Sequence, residues 1–193
     1  KYLGFFTREL DQALLSGEVD MVVHSYKDLG SVRPAGIQLA AVTERFFAQD
    51  ILLIKKSAVA DLKKKDKLVV GTSAPRRMTN ISKNLAAFLP GKESLTVSTA
   101  ILRGNVNTRI GKLQNGDYDA IVLALAGLER LALHPPSRAE LTRLLDGLTF
   151  MILPQSVFPS SASQGALGLE CRQDRPDGGE LLGKIQKLQH ART

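Results

Sequence analysis

The sequence predicts an α/β fold made of two lobes, and three observations support this prediction. Apolar residues alternate between the 3.6-residue spacing of amphipathic helices and short uninterrupted runs that are typical of buried strands. Hydrophobic residues make up 44% of the 193 positions, which is enough for one sizeable core or for two smaller ones. Two segments far apart in the chain share one helix–strand plan, which suggests two lobes of similar construction. We therefore expect helix-covered sheets with largely parallel strands.

The first predicted elements form a helix–strand unit. Apolar residues recur at helical spacing over residues 6–14, and Gly17 follows as a helix stop. The apolar run at residues 21–24 is typical of a short buried strand. Two further strands are predicted at residues 37–42 and 51–54.

The next unit is a strand that leads directly into a helix. Residues 68–70 form the predicted strand, Thr72 stands in the capping sequence, and Pro75 fits the first turn of a helix that reaches about Phe88. The lysine-rich run at residues 63–67, just before this strand, is predicted as a solvated loop.

The second half of the chain continues the alternation. Its predicted elements are a strand at 95–102, a helix at 106–113 closed by Gly116, a strand at 120–125, helices at 128–133 and 137–145, a strand at 148–153, a loop at 154–163, a strand at 166–171 and a helix from about Glu180.

The composition narrows the classes of partner. The net charge of +7 indicates an anionic partner, either a nucleic acid or a small polycarboxylate or phosphate. Aromatic residues make up 5% of the chain and Trp is absent, so the stacking platforms of single-strand binders are scarce. We therefore expect a small anionic ligand and no nucleic acid.

The sequence also argues against a membrane-spanning segment, a metal site and a framework of disulfide bonds. No stretch approaches the roughly 20 apolar residues that cross a bilayer, and the first residues lack a basic-then-apolar leader, so a cytoplasmic protein is expected. Cys171 is the only cysteine and lies in a predicted strand, where a buried side chain is expected. The three histidines, His24, His134 and His190, have no ligand spacing, so no metal is expected.

The two segments that share a plan differ at one point. GEVDMVVHSYKDL begins at Gly17 and GDYDAIVLALAGL begins at Gly116, and chance likeness of two common helix–strand units is the alternative explanation. After the strand, Lys27 and Asp28 in the first copy replace Ala126 and Gly127 in the second. Ligands of α/β sheets bind beyond the carboxyl ends of strands, so the charged pair is a candidate for chemistry. Asp28 is a candidate proton shuttle or cation stabiliser, and a turn-capping Asp is the alternative.

Arginines occur repeatedly at predicted strand-end turns. A guanidinium group binds a carboxylate through two parallel hydrogen bonds, and helix amino termini also favour anions. Any one of these arginines could be an ordinary surface residue, but together they favour a site for a ligand with several carboxylates. The set comprises Arg76, Arg77, Arg103, Arg109 and Arg130.

Five segments, in order, carry a resemblance to a known family. They are FFTRELDQALLSGEVDMVVHSYKDL, VGTSAPRR, RGNVNTR, AIVLALAGLERL and SQGALGLECR. Their order and spacing resemble the successive signatures of the porphobilinogen deaminase (hydroxymethylbilane synthase) family.

The resemblance implies a fold and a domain arrangement. The fold would be α/β, two-lobed and similar to type II periplasmic binding proteins, with helix-covered mixed sheets and a hinge between the lobes. Lobe one would comprise residues 1–45 and 163–193, and lobe two residues 46–162. The family's third domain, which carries the cofactor, would be absent, and the protein would be a monomer.

The resemblance also implies an activity and roles for residues. Porphobilinogen would lose ammonia to give an electrophilic azafulvene, which couples head to tail into a linear tetrapyrrole, with dipyrromethane as the covalent cofactor. Asp28 and Lys27 would be the catalytic residues, with Asp28 stabilising the cationic intermediate. The five arginines would bind the acetate and propionate side chains of the pyrroles. The matched supporting positions are Ser25, Thr72, Asn105 and Gln164.

Several departures from the family pattern bear on these expectations. The chain is expected to be partial, without the family's amino-terminal strand region and without the Gly-Gly-Cys turn that anchors the cofactor, and Cys171 does not match that cysteine. Leu3, Gly30, Ala74 and Pro75 also differ from the family residues. The alternative function is a non-catalytic anion- or carboxylate-binding protein on the same scaffold, and a nucleic-acid binder is the third.

Overall fold

The structure is a computed structural model that describes residues 7–175 and residue 184. The chain divides into two compact units, the first formed by Lys1–Phe46 and Ala162–Thr193 and the second by Phe47–Ser161. The helices are α1 (Arg8–Ser16), α2 (Lys56–Asp61), α3 (Pro75–Asn84), α4 (Val106–Asn115), α5 (Leu125–Leu133) and α6 (Pro135–Leu145). The strands are β1 (Val22–Ser25), β2 (Ile37–Val42), β3 (Asp50–Lys55), β4 (Lys67–Gly71), β5 (Thr96–Ala100), β6 (Ala120–Ala124), β7 (Leu148–Ile152) and β8 (Leu167–Arg172).

The first unit is built on a three-stranded sheet. Its order is β1-β8-β2, and β8 runs antiparallel to both neighbours. Helix α1 ends at Gly17, whose φ of 80° is the left-handed conformation that glycine adopts most easily, and the chain then turns into β1. Leu14, Val22 and Ile37 form the buried cluster between helix and sheet.

The second unit is built on a five-stranded mixed sheet. Its order is β5-β4-β6-β3-β7, with β4 parallel to β5 and β6, and β3 antiparallel to β6 and β7. Successive residues of β3 point to opposite faces, so Leu52 joins one apolar cluster with Ile81 of α3, and Leu53 joins another with Ile110 of α4. Helices therefore cover both faces of this sheet.

The predicted fold class, α/β with two lobes and mixed sheets, is confirmed. The expectation of largely parallel strands is wrong, because β3 and β7 carry the chain into and out of the second unit and run antiparallel to each other. The sequence also did not predict α2, which has no buried residue and therefore no apolar stripe to signal it. Apart from Lys184, the helix predicted from Glu180 lies outside the described residues.

Among the described residues, no helix is long and apolar enough to cross a membrane.

Candidate active site

The first copy of the repeated plan ends in a short turn that carries the predicted charged pair. Strand β1 ends at Ser25, and Tyr26–Asp28 form a single 3-10 turn. The Lys27 Nζ donates a hydrogen bond to Gln164 Oε1 at 3.3 Å, and the Gln164 side chain is buried. Asp28 is exposed and its carboxylate makes no hydrogen bond or ion pair with another described residue. The structure thus brings Lys27 and Gln164 together and leaves the Asp28 carboxylate open to a ligand.

A buried ionic network lies directly behind this turn. Arg33 donates to both carboxylate oxygens of Glu170, at 2.5 and 2.8 Å, and to Asp11 Oδ1 at 2.5 Å. The hydrogen bond to Glu170 is the main cause that raises the pKa of Arg33. His24 Nε2 lies 3.3 Å from Glu170 Oε2, and His24 directly precedes Ser25 in β1. The network joins α1, β1 and β8, so it fixes the strand from which the charged turn emerges.

The carboxylate and imidazole groups of this network are also of the kind that can bind a metal ion. One ligand atom from each of Asp11, His24 and Glu170 lies within 4.8 Å of the others. Arg33 already bonds both carboxylates, so its positive charge stands where a cation would be attracted. These groups therefore act as an ion-pair network.

Two of the predicted arginines share one buried carboxylate in the second unit. Arg77 donates from Nε and Nη2 to the two oxygens of Asp50 at 3.0 and 2.8 Å, and Arg76 donates to Asp50 Oδ2 at 3.0 Å. Arg76 also donates to the carbonyl of Pro159. Arg77 and Asp50 are both buried, whereas Arg76 remains partly exposed. Arg77 therefore fixes α3 against β3, and Arg76 is the member of the pair that faces solvent.

Arg109 forms no ion pair with an acidic group among the described residues. Its Nε donates to the carbonyl of Gly104 at 2.7 Å. Partial burial, and then the positive charge of Arg77, lower the pKa of the Arg109 guanidinium. Arg77 is already paired with Asp50, so the main feature of Arg109 is a partly buried guanidinium group to which a bound anion would supply a partner. Arg109 is thus the predicted arginine whose surroundings most favour a ligand.

Of the remaining predicted residues of the second unit, Thr72, Arg103 and Asn105 lie at a strand end or a helix start. Arg130 was predicted at a strand-end turn but lies in the last turn of α5. Asn105 caps α4, because its Oδ1 accepts from the Thr108 amide at 2.8 Å. Thr72 is fully buried just beyond β4, and its Oγ1 has no hydrogen-bond partner among the described residues. Arg103 is exposed in the turn before α4, and Arg130 is exposed on α5 and donates to the Ala126 carbonyl at 3.1 Å. Buried hydroxyl groups are normally hydrogen-bonded, so the Thr72 hydroxyl has bonding positions that no described residue fills.

Sequence reasoning missed the acidic partners of these arginines. Asp50, Asp11 and Glu170 each hold a guanidinium group, and Arg33 was not singled out either. One signal was available: Glu170 stands in the apolar run LGLECR, and a charged residue in a buried strand requires a partner. The identity of that partner was not available, because Arg33 is far away in the sequence.

Comparison with known proteins decides the family. Residues 1–178 match the family model described as "Porphobilinogen deaminase, dipyromethane cofactor binding domain". The chain belongs to the porphobilinogen deaminase family. Its relatives include porphobilinogen deaminases from Nostoc sp., 36% identical over 98% of this chain, and from Sulfurimonas denitrificans, 43% identical over 89%.

The match to porphobilinogen deaminases covers only part of those proteins. The chain spans about half the length of its curated relatives, 52% of the Nostoc protein and 48% of the Sulfurimonas protein.

Some solved structures share a weaker likeness. An arginine-specific periplasmic binding protein from Salmonella typhimurium is 14% identical with a TM-score of 0.41, covering 95% of this chain and 70% of that one. The GluR0 ligand-binding core with L-glutamate is 19% identical with a TM-score of 0.43, covering 94% and 71%. Likeness at this level says nothing about function.

The donors of the second unit fit the cofactor that the family model names. A pyrrole cofactor with acetate and propionate groups needs cationic and hydroxyl partners, and Arg109 and the partnerless Thr72 hydroxyl are groups of this kind. Cys171 does not fit as its covalent anchor, because this free thiol is fully buried in β8.

Proposed function

We propose that the protein containing this chain is a hydroxymethylbilane synthase, which deaminates porphobilinogen and joins the units head to tail into a linear tetrapyrrole. The family match over residues 1–178 is the observation that carries this proposal. The proposal extends to small pyrroles with carboxylate groups as ligands and to a cytoplasmic location.

Asp28 is the proposed catalytic residue. An exposed carboxylate with no competing ion pair among the described residues is free to accept hydrogen bonds from pyrrole N–H groups. When ammonia leaves the aminomethyl carbon of porphobilinogen, the remaining pyrrole becomes cationic, and a carboxylate beside it lowers the energy of that charge. Lys27 lies in the same turn as Asp28, and its hydrogen bond to buried Gln164 ties this turn to the segment before β8. The proposed role of Ser25 is to support this turn.

Four arginines of the second unit are the proposed binding groups for substrate carboxylates, whereas Arg77, which bonds both oxygens of buried Asp50, would hold α3 in place. Arg109 would gain most, because burial is the main cause that lowers the pKa of its guanidinium and a bound anion would offset the cost of that buried charge. Arg76 keeps an exposed face while Asp50 orients it. Thr72 and the capped start of α4 would add neutral donors, and Arg103 and Arg130 would bind peripheral carboxylates. The dipyrromethane cofactor, when bound, would supply the primer to which the first substrate is joined.

The lobe assignment is part of the same proposal. Residues 1–45 and 163–193 would form the lobe with the catalytic turn, and residues 46–162 the lobe with the binding arginines. The division of the chain at Phe46 and Ala162 supports this assignment.

The test is turnover by the full-length protein. Incubation with porphobilinogen should release ammonia and form a linear tetrapyrrole, each measured directly. Saturable binding of porphobilinogen without ammonia release would contradict the proposal and favour a non-catalytic carboxylate-binding protein. Binding to DNA or RNA that weakens steeply with salt, again without turnover, would favour a nucleic-acid binder.

A further inference from the structure

One buried carboxylate contacts the chain on both sides of the turn that carries Asp28. Glu170 lies in β8 and its side chain has no exposed surface. His24, which precedes the turn, places Nε2 3.3 Å from Glu170 Oε2. Arg33, which follows the turn, donates to both Glu170 oxygens, at 2.5 and 2.8 Å. The segment between His24 and Arg33 therefore starts and ends at the same carboxylate.

The middle of this turn rests on the same face of β8. Side chains alternate along a strand, so positions 168 and 170 face the same side. A Cβ added at Gly168 would lie 3.0 Å from the side chains of both Tyr26 and Leu29. Because Tyr26 and Leu29 stand on either side of Lys27 and Asp28, β8 supports the turn at its middle as well as at its ends.

Arg33 fixes the direction of these contacts. It also donates to Asp11 Oδ1 at 2.5 Å, and Asp11 lies in α1. A guanidinium group presents its donors in a rigid planar fork, which a lysine ammonium group lacks. When one member of a buried pair is removed, the other is left as an uncompensated charge. We therefore expect the groups on both sides of the turn to move if Glu170 loses its charge.

We propose that Glu170 is a positioning residue for the reaction, which holds the segment between His24 and Arg33 so that the Asp28 carboxylate keeps one orientation toward the substrate. Glu170 is fully buried, so it acts through the turn and not by contact with the substrate. This role rests on the proposed function, because Asp28 is the proposed catalytic residue. Glu170 is not among the positions that the family resemblance assigns to the site.

A role in stability alone leads to a different kinetic result. An ion pair that only stabilises the fold changes the fraction of folded protein, and its loss has no effect on kcat once the variant is fully folded. A positioning residue changes kcat of the folded protein, because a misplacement of about 1 Å can slow a reaction about 100-fold. KM should stay constant, since the proposed carboxylate-binding arginines lie in the second unit.

The test is steady-state ammonia release from porphobilinogen by the full-length Glu170→Gln variant. Glutamine keeps the size of the side chain but replaces one acceptor oxygen with a donor, so Arg33 can no longer bond both ends of the group. We expect kcat to fall about 10- to 100-fold with KM unchanged, at a temperature where circular dichroism shows a folded protein. Asp119→Asn is the matched control, because it makes the same carboxylate-to-amide change at the Lys65–Asp119 ion pair of the second unit and should keep the wild-type kcat.

Arg33→Lys tests the same contact from the other side and serves if Glu170→Gln does not fold. It keeps the positive charge and removes the fork, so kcat should again fall with KM unchanged. Hydrogen exchange gives a readout that needs no substrate. The Tyr26 amide bonds the Ala166 carbonyl at 3.1 Å and the Leu29 amide bonds the Tyr26 carbonyl at 3.2 Å, and both amides should exchange faster in either variant.

The outcomes separate this role from the proposed function. A wild type that does not release ammonia would refute the proposed function and the positioning role together. A wild type that turns over, with folded Glu170→Gln and Arg33→Lys variants that keep its kcat, would refute the positioning role alone. An equal fall in kcat in Asp119→Asn, or unchanged exchange of the Tyr26 and Leu29 amides in both variants, would also overturn it.

Discussion

The two copies of the helix–strand plan start alike and end differently. Gly17 and Gly116 both end a helix in the left-handed conformation, with φ of 80° and 86°, and each precedes a strand. After β1 the chain forms a short turn that leaves Asp28 exposed. After β6 it continues directly into α5, where Ala126 is buried.

The position of each strand in its sheet explains the difference. Strand β1 lies at the edge of a three-stranded sheet, so the turn beyond it is accessible and can carry charge. Strand β6 lies between β4 and β3, and a Cβ added at Gly127 would lie 3.6 Å from the Val106 side chain at the start of α4. A charge after β6 would therefore be buried without a partner, whereas the same charge after β1 is open to a ligand.

The largest expected effect comes from giving the first copy the residues of the second. The double variant Lys27→Ala with Asp28→Gly should lower the rate of ammonia release from porphobilinogen by about 10³-fold, because the charge-stabilising carboxylate is lost. Steady-state kinetics of the full-length protein measures this. Asp117→Ala, at an exposed acid of the second copy, is the matched control and should keep the wild-type rate.

The reverse exchange should cost stability instead of activity. Ala126→Lys puts the first copy's lysine at a position that is 5% exposed, and an unpaired buried charge should lower the free energy of unfolding by about 3 to 4 kcal/mol. Denaturant unfolding followed by circular dichroism measures the loss. Leu133→Lys on the same helix, at a residue that is 72% exposed, should change stability by less than about 0.5 kcal/mol. Equal losses would show that burial does not separate the two copies.

If the second unit binds the substrate and takes no part in the reaction step, a substitution at Arg109 should change the affinity for substrate and leave kcat unchanged. Arg109→Gln should raise KM for porphobilinogen about 10- to 100-fold, as expected for a lost charged hydrogen bond. Stability should not fall, because a pKa lowered in the fold means that the protonated guanidinium is less favourable there than in the unfolded chain. Arg138→Gln is the control, since Arg138 also donates its Nε to a backbone carbonyl. A drop in kcat with KM unchanged would contradict the binding role.

The smallest expected effect tests the shared beginning of the two copies. Gly17→Ala and Gly116→Ala should each destabilise the fold by about 1 kcal/mol, because alanine is strained in the left-handed region. The loss should be larger at Gly17, where a Cβ would lie 3.2 Å from the Arg172 guanidinium, than at Gly116, where nothing lies within 4 Å. Thermal unfolding of the two variants and the wild type would show which substitution lowers Tm more. An unchanged Tm in both variants would contradict the claim that both helices need glycine at the left-handed C-cap.

Local signals made much of this fold predictable. The helix stops at Gly17 and Gly116 and the proline at the start of α3 are encoded by single residues, and the structure places all three as expected. The antiparallel direction of β3 was not predictable, because pairing with β6 and β7 joins residues far apart in the chain.

The same limit applies to the candidate site. Sequence reasoning selected Asp28, Lys27 and the arginines from their places after strands, and the structure confirms that β1 ends at this charged turn. It could not select Asp50 as the partner of Arg77, or Arg33 as the partner of Glu170, because these pairs form only once distant segments fold together.

The most direct test of the proposed chemistry is ammonia release by the Asp28→Asn variant of the full-length protein. Asparagine keeps the size of the side chain and removes its charge, so the fold should be unchanged. We predict that release from porphobilinogen slows by at least about 100-fold while the far-UV spectrum and Tm match the wild type. A folded Asp28→Asn protein that releases ammonia at the wild-type rate would show that the Asp28 charge is not what drives the reaction.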